Sequence, residues 1–404
     1  MLQFGNFAAA VLSLLLLAIA APARAADPVT ADDSARFLAG MPPSAPSPLT
    51  ALTKDPAWQR HARFFDTAFG QLEQRQLSKI RAWSAANLSV SRPTMFYMFS
   101  GPDFLYADAF YPNATTYVLS ALEPVGSVPD LTRLPYPGST LGDIEHSMSS
   151  ILSFSFFITK HMKTDLHADE VNGTLPILYV FLARSGKTIR DVGLIALDEA
   201  GAVHPAGEAA GRNPTRGVRI KFAGSDGVEK TLYYFSTDLS NSSARASGFL
   251  KFCATLAPGD SLLKSASYLL HAGNFTVVRD FLLNNSTTIV QDDSGIPLAD
   301  YDARKWRFMP FGRYVGPISE FPGRYQPNLA ELFERGQPMD FGIGYRWRSH
   351  ESNLLLSVRL ASDGPGAAET DSSSPAESAG PKPPHAKRPR RERVQRPEGY
   401  WIWR

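Results

Sequence analysis

DSLLKSASYLLHAGNFTVVRDFLLNNSTTIVQDDSGIPL, residues 260–298, gathers Ser, Lys, Tyr, His and Asp into one stretch, and how it folds decides the architecture. Asp260 or Ser261 can cap a helix by accepting a hydrogen bond from a free backbone N–H. At about 100° per residue, Leu262, Leu263, Ala266, Leu269 and Leu270 then share one arc. Ser261, Lys264, Ser265, Tyr268 and His271 occupy the opposite arc. Phe275, Val278, Phe281 and Leu282 give a second helical pattern, stopped by Asn284-Asn285. Thr288-Ile289-Val290 reads as a buried strand that runs into Gln291-Asp292-Asp293-Ser294-Gly295. Two helices feeding a strand predict a mixed α/β (or α+β) fold, with helices packed on a mostly internal sheet. Ligands commonly meet such sheets at strand ends.

Upstream, Asp55-Pro56 opens a long helix, with Asp at the cap and Pro in the first turn. Trp58, Ala62, Phe65, Phe69, Leu72, Ile80 and Trp83 follow helical spacing, a stripe that packs on a core. Met95 to Phe99 and Thr115 to Leu122 are expected strands, and a helix is expected from Ser139 or Thr140 through Ile158. Pro176 to Ala183 suits a buried strand or a buried helix, and Pro176 with Gly186 favours the helix. Thr188 to Leu197, Val218 to Phe222 and Thr231 to Phe235 supply an antiparallel portion, with Gly224-Ser225-Asp226-Gly227 as a turn and residues 201–217 as a loop.

Downstream, Trp306 to Val315 is a further expected strand. Phe341, Ile343, Tyr345 and Trp347 alternate with Gly342, Gly344, Arg346 and Arg348, which predicts another strand. Leu354 to Leu360 would return beside it as a hairpin.

The 404 residues are 44% hydrophobic and 20% charged, enough apolar material for one large core or two ordinary ones. Residues 1–25 have the form of a secretory signal, an apolar run followed by Ala23-Arg24-Ala25. The run is short for a membrane span, so none is expected in the mature chain. Residues 26–50 are expected to be a linker with a short helix near Ser34-Ala35-Arg36-Phe37, 51–360 a single large globular domain, and 361–404 a disordered, basic C-terminal tail. One cysteine, Cys253, excludes an intrachain disulfide. Export without disulfides suits a periplasmic or secreted protein. The tail carries +2 and the signal one Arg, leaving the body at −1, which argues against nucleic acid as the partner of the core. The basic block from Lys387 to Arg393 offers a contact for anionic surfaces.

Gly259-Asp260-Ser261-Leu262 spells the tetrapeptide of GDSL-type esterases, but the Asp-x-x-His of that family has no counterpart here, since Trp347 stands where His350 would need Asp. Ser261-Leu262-Leu263-Lys264 matches the Ser-x-x-Lys of penicillin-recognising serine enzymes, in which one helical turn sets a hydroxyl beside an amine. The Lys-Thr-Gly strand of that family is missing. His161 and His167 lie near Asp165, Asp169 and Glu170 without the spacing of a metal motif, so no metal site is assigned and any cofactor stays unknown.

Carboxylates at strand ends form the broader pattern: Asp103, Glu123, Asp238 after Tyr233-Tyr234-Phe235, and the pair Asp292-Asp293. Asp292, Asp293, Ser261 and Lys264 are the candidate catalytic residues, and Asp103, Tyr106, Glu123, Tyr268 and Arg313 the candidate ligand-binding residues. Such a set suits an exported protein that binds a glycan or other polar envelope ligand. The alternative is a secreted hydrolase using the strand-end carboxylates or the Ser-x-x-Lys pair.

Overall fold

The computed structural model describes residues 28–360, except 45, 89, 134–136, 158–165, 167–170 and 209–210. The signal, the tail and the His161–Glu170 group, Leu166 apart, therefore lie outside the described residues.

The chain opens with helix α1, Ala31–Leu38, capped by the Thr30 hydroxyl, which accepts from Asp33 N–H. The short helix expected near Ser34 to Phe37 therefore forms, and Ala35, Phe37 and Leu38 are fully buried in the core, which anchors this part of the expected linker. Phe37 and Leu38 supply the apolar area that a linker lacks.

Helix α2, Pro56–Leu72, begins at the Asp55 cap, whose carboxylate accepts from Ala57 N–H at 2.7 Å. It continues through a π-helical turn, Glu73–Leu77, into α3, Ser78–Asn87. Strand β1, Thr94–Tyr97, follows, then α4, Phe104–Phe110, and β2, Thr116–Ala121. Helix α5 spans Pro137–Ser153, shorter than expected, and α6 spans Leu175–Arg184, the helix that Pro176 favours.

The antiparallel portion is β3, Thr188–Leu197, β4, Val203–Pro205, β5, Thr215–Ala223, and β6, Glu229–Ser236. The expected 201–217 loop thus contains the short β4 and the start of β5. Two short helices, α7 (Asn241–Ala246) and α8 (Phe249–Thr255), precede β7, Gly259–Leu263. Helix α9, Thr276–Asn285, leads to β8, Ser286–Gln291, and then come β9, Trp306–Gly312, α10, Pro327–Phe333, and β10, Asn353–Arg359.

Among the described residues, ten strands form one mixed sheet in the order β4-β3-β5-β6-β2-β1-β7-β8-β10-β9. The middle five, β6, β2, β1, β7 and β8, are parallel, and antiparallel strands flank them on both sides. One hydrophobic core joins α2–α6 to Met95, Tyr97, Tyr117, Leu262 and Val290, and a second joins α7–α9 to Phe96, Met98, Val118, Leu263 and Ile289. Neighbouring residues of each central strand therefore point into opposite cores, and the sheet is the middle of three layers.

That double burial corrects the expected helix at Asp260–His271. Gly259–Leu263 is a strand buried at every position, and Ala266–His271 is a separate 3-10 turn. A strand with two apolar faces needs an unbroken apolar run, and a short run of that kind has no period to separate it from a helix.

The expected strand Phe341–Trp347 is also absent. The segment holds one isolated bridge, Ile343 with Arg346, and β10 pairs with β8 and β9 instead. Its alternating glycines serve close backbone approach: a Cβ on Gly342 would fall 2.0 Å from the Trp347 carbonyl oxygen.

Candidate functional site

β1 crosses through α4 to β2 on one side, while β7 crosses through α9 to β8 on the other. Strand order reverses between β1 and β7, and in open parallel sheets ligands bind outside the carboxyl ends at such a reversal. Residues just beyond β1, β7 and β8 gather there.

Asp103 caps α4, its Oδ1 accepting from Tyr106 N–H at 3.1 Å. Its Oδ2 accepts from the Tyr97 hydroxyl at 2.9 Å and from Lys264 Nζ at 2.8 Å. Lys264, the first residue after β7, also donates to the Ser155 carbonyl at 2.5 Å and stands 4.0 Å over the Tyr106 ring. The side chains of the ion pair are 2% and 1% exposed. Removing both charges from water costs several kcal/mol per ion, so every partner counts. The carboxylate has three donors, and the ammonium has a carboxylate, a carbonyl and an aromatic face. Tyr106 in turn donates to Gln76 Oε1 at 2.6 Å, and Gln76 Nε2 donates to the Gly342 carbonyl at 2.7 Å. Gln76 belongs to the π-helical turn, a device that recurs at functional sites.

Asp292 and Asp293 follow β8. Asp292 accepts from Ser265 N–H at 3.0 Å, from Ser294 N–H at 3.0 Å, and from the Ser294 hydroxyl. Asp293 accepts from the Tyr268 hydroxyl and from Asn353 Nδ2 at 3.0 Å. Burial pushes both carboxyls above their usual range, and the Asp293 charge helps raise Asp292 to about 7. Tyr268, Asn353 and the nearby Arg346 charge restrain Asp293. Burial and Asp293 push the Tyr268 phenol up, so it remains a neutral donor. His271, edge-on to Tyr268 at 5.4 Å, is pushed down to about 4 by burial and by Arg324, so its imidazole is neutral.

The backbone around these groups is unusual. Ser265 has φ 65° and ψ −91°, and Ser155 has φ 127°, conformations that non-glycine residues rarely adopt. Gly344 has φ 62°, and a Cβ there would fall 1.9 Å from Asp292 Oδ2. Gly344 N–H donates to Ser155 Oγ at 3.0 Å, so Ser155 touches both Lys264 and the segment that covers Asp292.

A chain of aromatic rings leads outward from Asp293. Tyr268 stacks on Tyr345, 6.3 Å apart and 9° from parallel, and Tyr345 meets Phe156 edge-on at 4.9 Å. Phe156 stacks on Phe154 at 5.9 Å, and Phe154 lies 5.5 Å from Trp347. Exposure rises along the chain, from 4% at Tyr268 to 37% at Phe154.

Six of the nine residues singled out from sequence thus contact this group: Asp103, Tyr106, Lys264, Tyr268, Asp292 and Asp293. The other three sit elsewhere. Ser261 lies inside β7, with its Oγ 2.7 Å from Ser286 Oγ. Residues three apart on a strand point to opposite faces, so the Ser-x-x-Lys pairing with Lys264 does not form. Arg313 is exposed beyond β9, and Arg346 supplies the charge near Asp293. Glu123 is buried after β2, where its carbonyl accepts from the Tyr234 hydroxyl at 2.8 Å.

Sequence reasoning missed Tyr97, Gln76, Ser155, Asn353, Arg346 and Gly344. The Gly-Ile-Gly run inside an aromatic alternation was a usable signal for Gly344. Among the described residues, no group of three or more His, Cys, Asp and Glu side chains could hold a metal ion, and no helix is long and apolar enough to cross a membrane. Compared with known protein families, curated proteins and solved structures, the chain matches none.

Proposed function

We propose that this is an exported protein that binds a glycan or another hydroxyl-rich polar ligand at the carboxyl ends of β1, β7 and β8. The observation that carries the reading is the continuity between the buried Asp293–Tyr268 contact and the aromatic chain leading to half-exposed rings. Carboxylates and phenols suit sugar hydroxyls, and flat aromatic faces suit the apolar faces of sugar rings. The signal-like residues 1–25 support export.

A hydrolase is the second reading, favoured by one observation: burial keeps the Asp292 carboxyl protonated up to about pH 7, the state a general acid needs. The Ser261–Lys264 version of that reading has lost its geometry.

Calorimetric titration of oligosaccharides against Asp292→Asn, Asp293→Asn and Tyr345→Ala tests the binding reading. Each variant should keep its circular dichroism and lose affinity. Wild-type affinity in both Asp variants would end it. New reducing ends after prolonged incubation, lost in Asp292→Asn, would favour the hydrolase.

A further inference from the structure

The aromatic chain ends at Trp347, which also walls a cavity of about 340 Å³. Among the described residues, three positive side chains line this cavity, Arg75, Lys79 and Arg348, with His350 beside them and Asp340 as the one carboxylate. Asp340 is a poor neutraliser. It stands 3.4 Å from Lys79 Nζ with its own side chain 74% exposed, so water screens the attraction.

The cavity is built by two segments. The π-helical turn sends Gln76 inward to Tyr106 and leaves Arg75 facing the cavity, and Lys79 follows one helical turn later on α3. Residues 340–350 supply Asp340, Trp347 and Arg348. Arg75 is held in place by donation from Nη2 to the Leu152 carbonyl at 2.8 Å, and its Nε–H is buried without a partner. The Arg348 guanidinium lies 4.7 Å over the Trp347 ring and makes no ion pair among the described residues. Like charges lining one cavity repel, and an oxyanion between them relieves that repulsion. The planar fork of arginine fits a carboxylate or sulfate better than it fits any neutral sugar hydroxyl.

We infer that this cavity is an oxyanion subsite that takes a carboxylate or sulfate group. Resting on the glycan reading above, it makes the ligand an acidic glycan, with its rings along the aromatic chain and its anionic group between Arg75 and Arg348.

The test is calorimetric titration of wild type and the Lys79→Gln/Arg348→Gln double variant with three probes. These are a uronic-acid oligosaccharide, the neutral oligosaccharide of the same linkage, and inorganic sulfate. Both substituted side chains reach solvent, so folding should survive and circular dichroism verifies it. The acidic oligosaccharide should bind wild type about tenfold tighter than the neutral one, an advantage that shrinks at high ionic strength and disappears in the double variant. Equal affinity for the two oligosaccharides, or an acidic preference untouched by the double substitution, would overturn the subsite and leave the glycan reading standing. Sulfate binding that the double variant loses, with neither oligosaccharide bound, would support the oxyanion site and overturn the glycan reading.

Discussion

Replacing Lys264 with methionine keeps most of the side-chain volume and deletes its charge. Asp103 then holds a carboxylate that is 1% exposed with no ammonium beside it, and the Ser155 carbonyl loses its 2.5 Å donor. Stripping one partner from a buried ion pair costs about 3–5 kcal/mol. An unsatisfied buried carbonyl adds about 1–3 kcal/mol, part of which overlaps with the first figure, so the expected loss is near the top of the pair's range. Asp103→Asn should cost somewhat less, because the amide oxygen can still cap α4. Combining the two substitutions leaves no unpaired charge, so the double variant should be more stable than the sum of the singles by about 2 kcal/mol. Urea unfolding at neutral pH, followed by far-ultraviolet circular dichroism, measures all three. A Lys264→Met loss below about 1 kcal/mol, or strict additivity, would refute the view that this pair is dry and mutually dependent.

The Asp292 carboxyl sits at about 7 in the folded protein against 3.8 for an unperturbed group, so the folded state holds a proton that the unfolded chain gives up. Stability should be full below about pH 4, fall as pH rises towards 7, and level off above; Asp292→Asn should flatten that slope in melting temperature, and an unchanged slope would contradict the assignment. Gly344→Ala should cost more than about 2 kcal/mol, because left-handed backbone strain adds to a Cβ placed 1.9 Å from Asp292 Oδ2. A variant as stable as wild type would show that the 342–346 segment does not press on the carboxylate. Tyr268→Phe removes the hydroxyl donor to Asp293 and should lower stability by about 1–3 kcal/mol, read from urea midpoints.

Much of the site was legible because chemistry-bearing residues at strand ends announce themselves by position. Asp103, Asp292 and Asp293 each follow an apolar run whose strand character the residues themselves carry. Lys264 and Tyr268 stand out in the sequence as one face of a helix, whereas the protein forms a strand and a 3-10 turn there. The run Ser261-Leu262-Leu263 faces two cores at once, and a sequence without alternation carries no mark of that. The partners Tyr97, Gln76, Ser155 and Asn353 come from four separate segments. Their role depends on tertiary placement, above all on a π-helical turn that no side-chain pattern between Gln71 and Ile80 specifies. The glycines of the 342–344 run alternate with apolar residues as in a strand, whereas contact with the Asp292 carboxylate and the Trp347 carbonyl excludes side chains there.

Because β1, β7 and β8 are covered by helices on both faces, the groups at their ends hang from the most protected part of the molecule. Their amide hydrogens should exchange with solvent only when the whole sheet comes apart, whereas the turn-rich 340–350 segment should exchange through local opening. A ligand seated between the carboxylates and Trp347 would slow exchange in that segment and leave the strands unchanged. Isotope uptake can therefore localise an occupant before its chemistry is known.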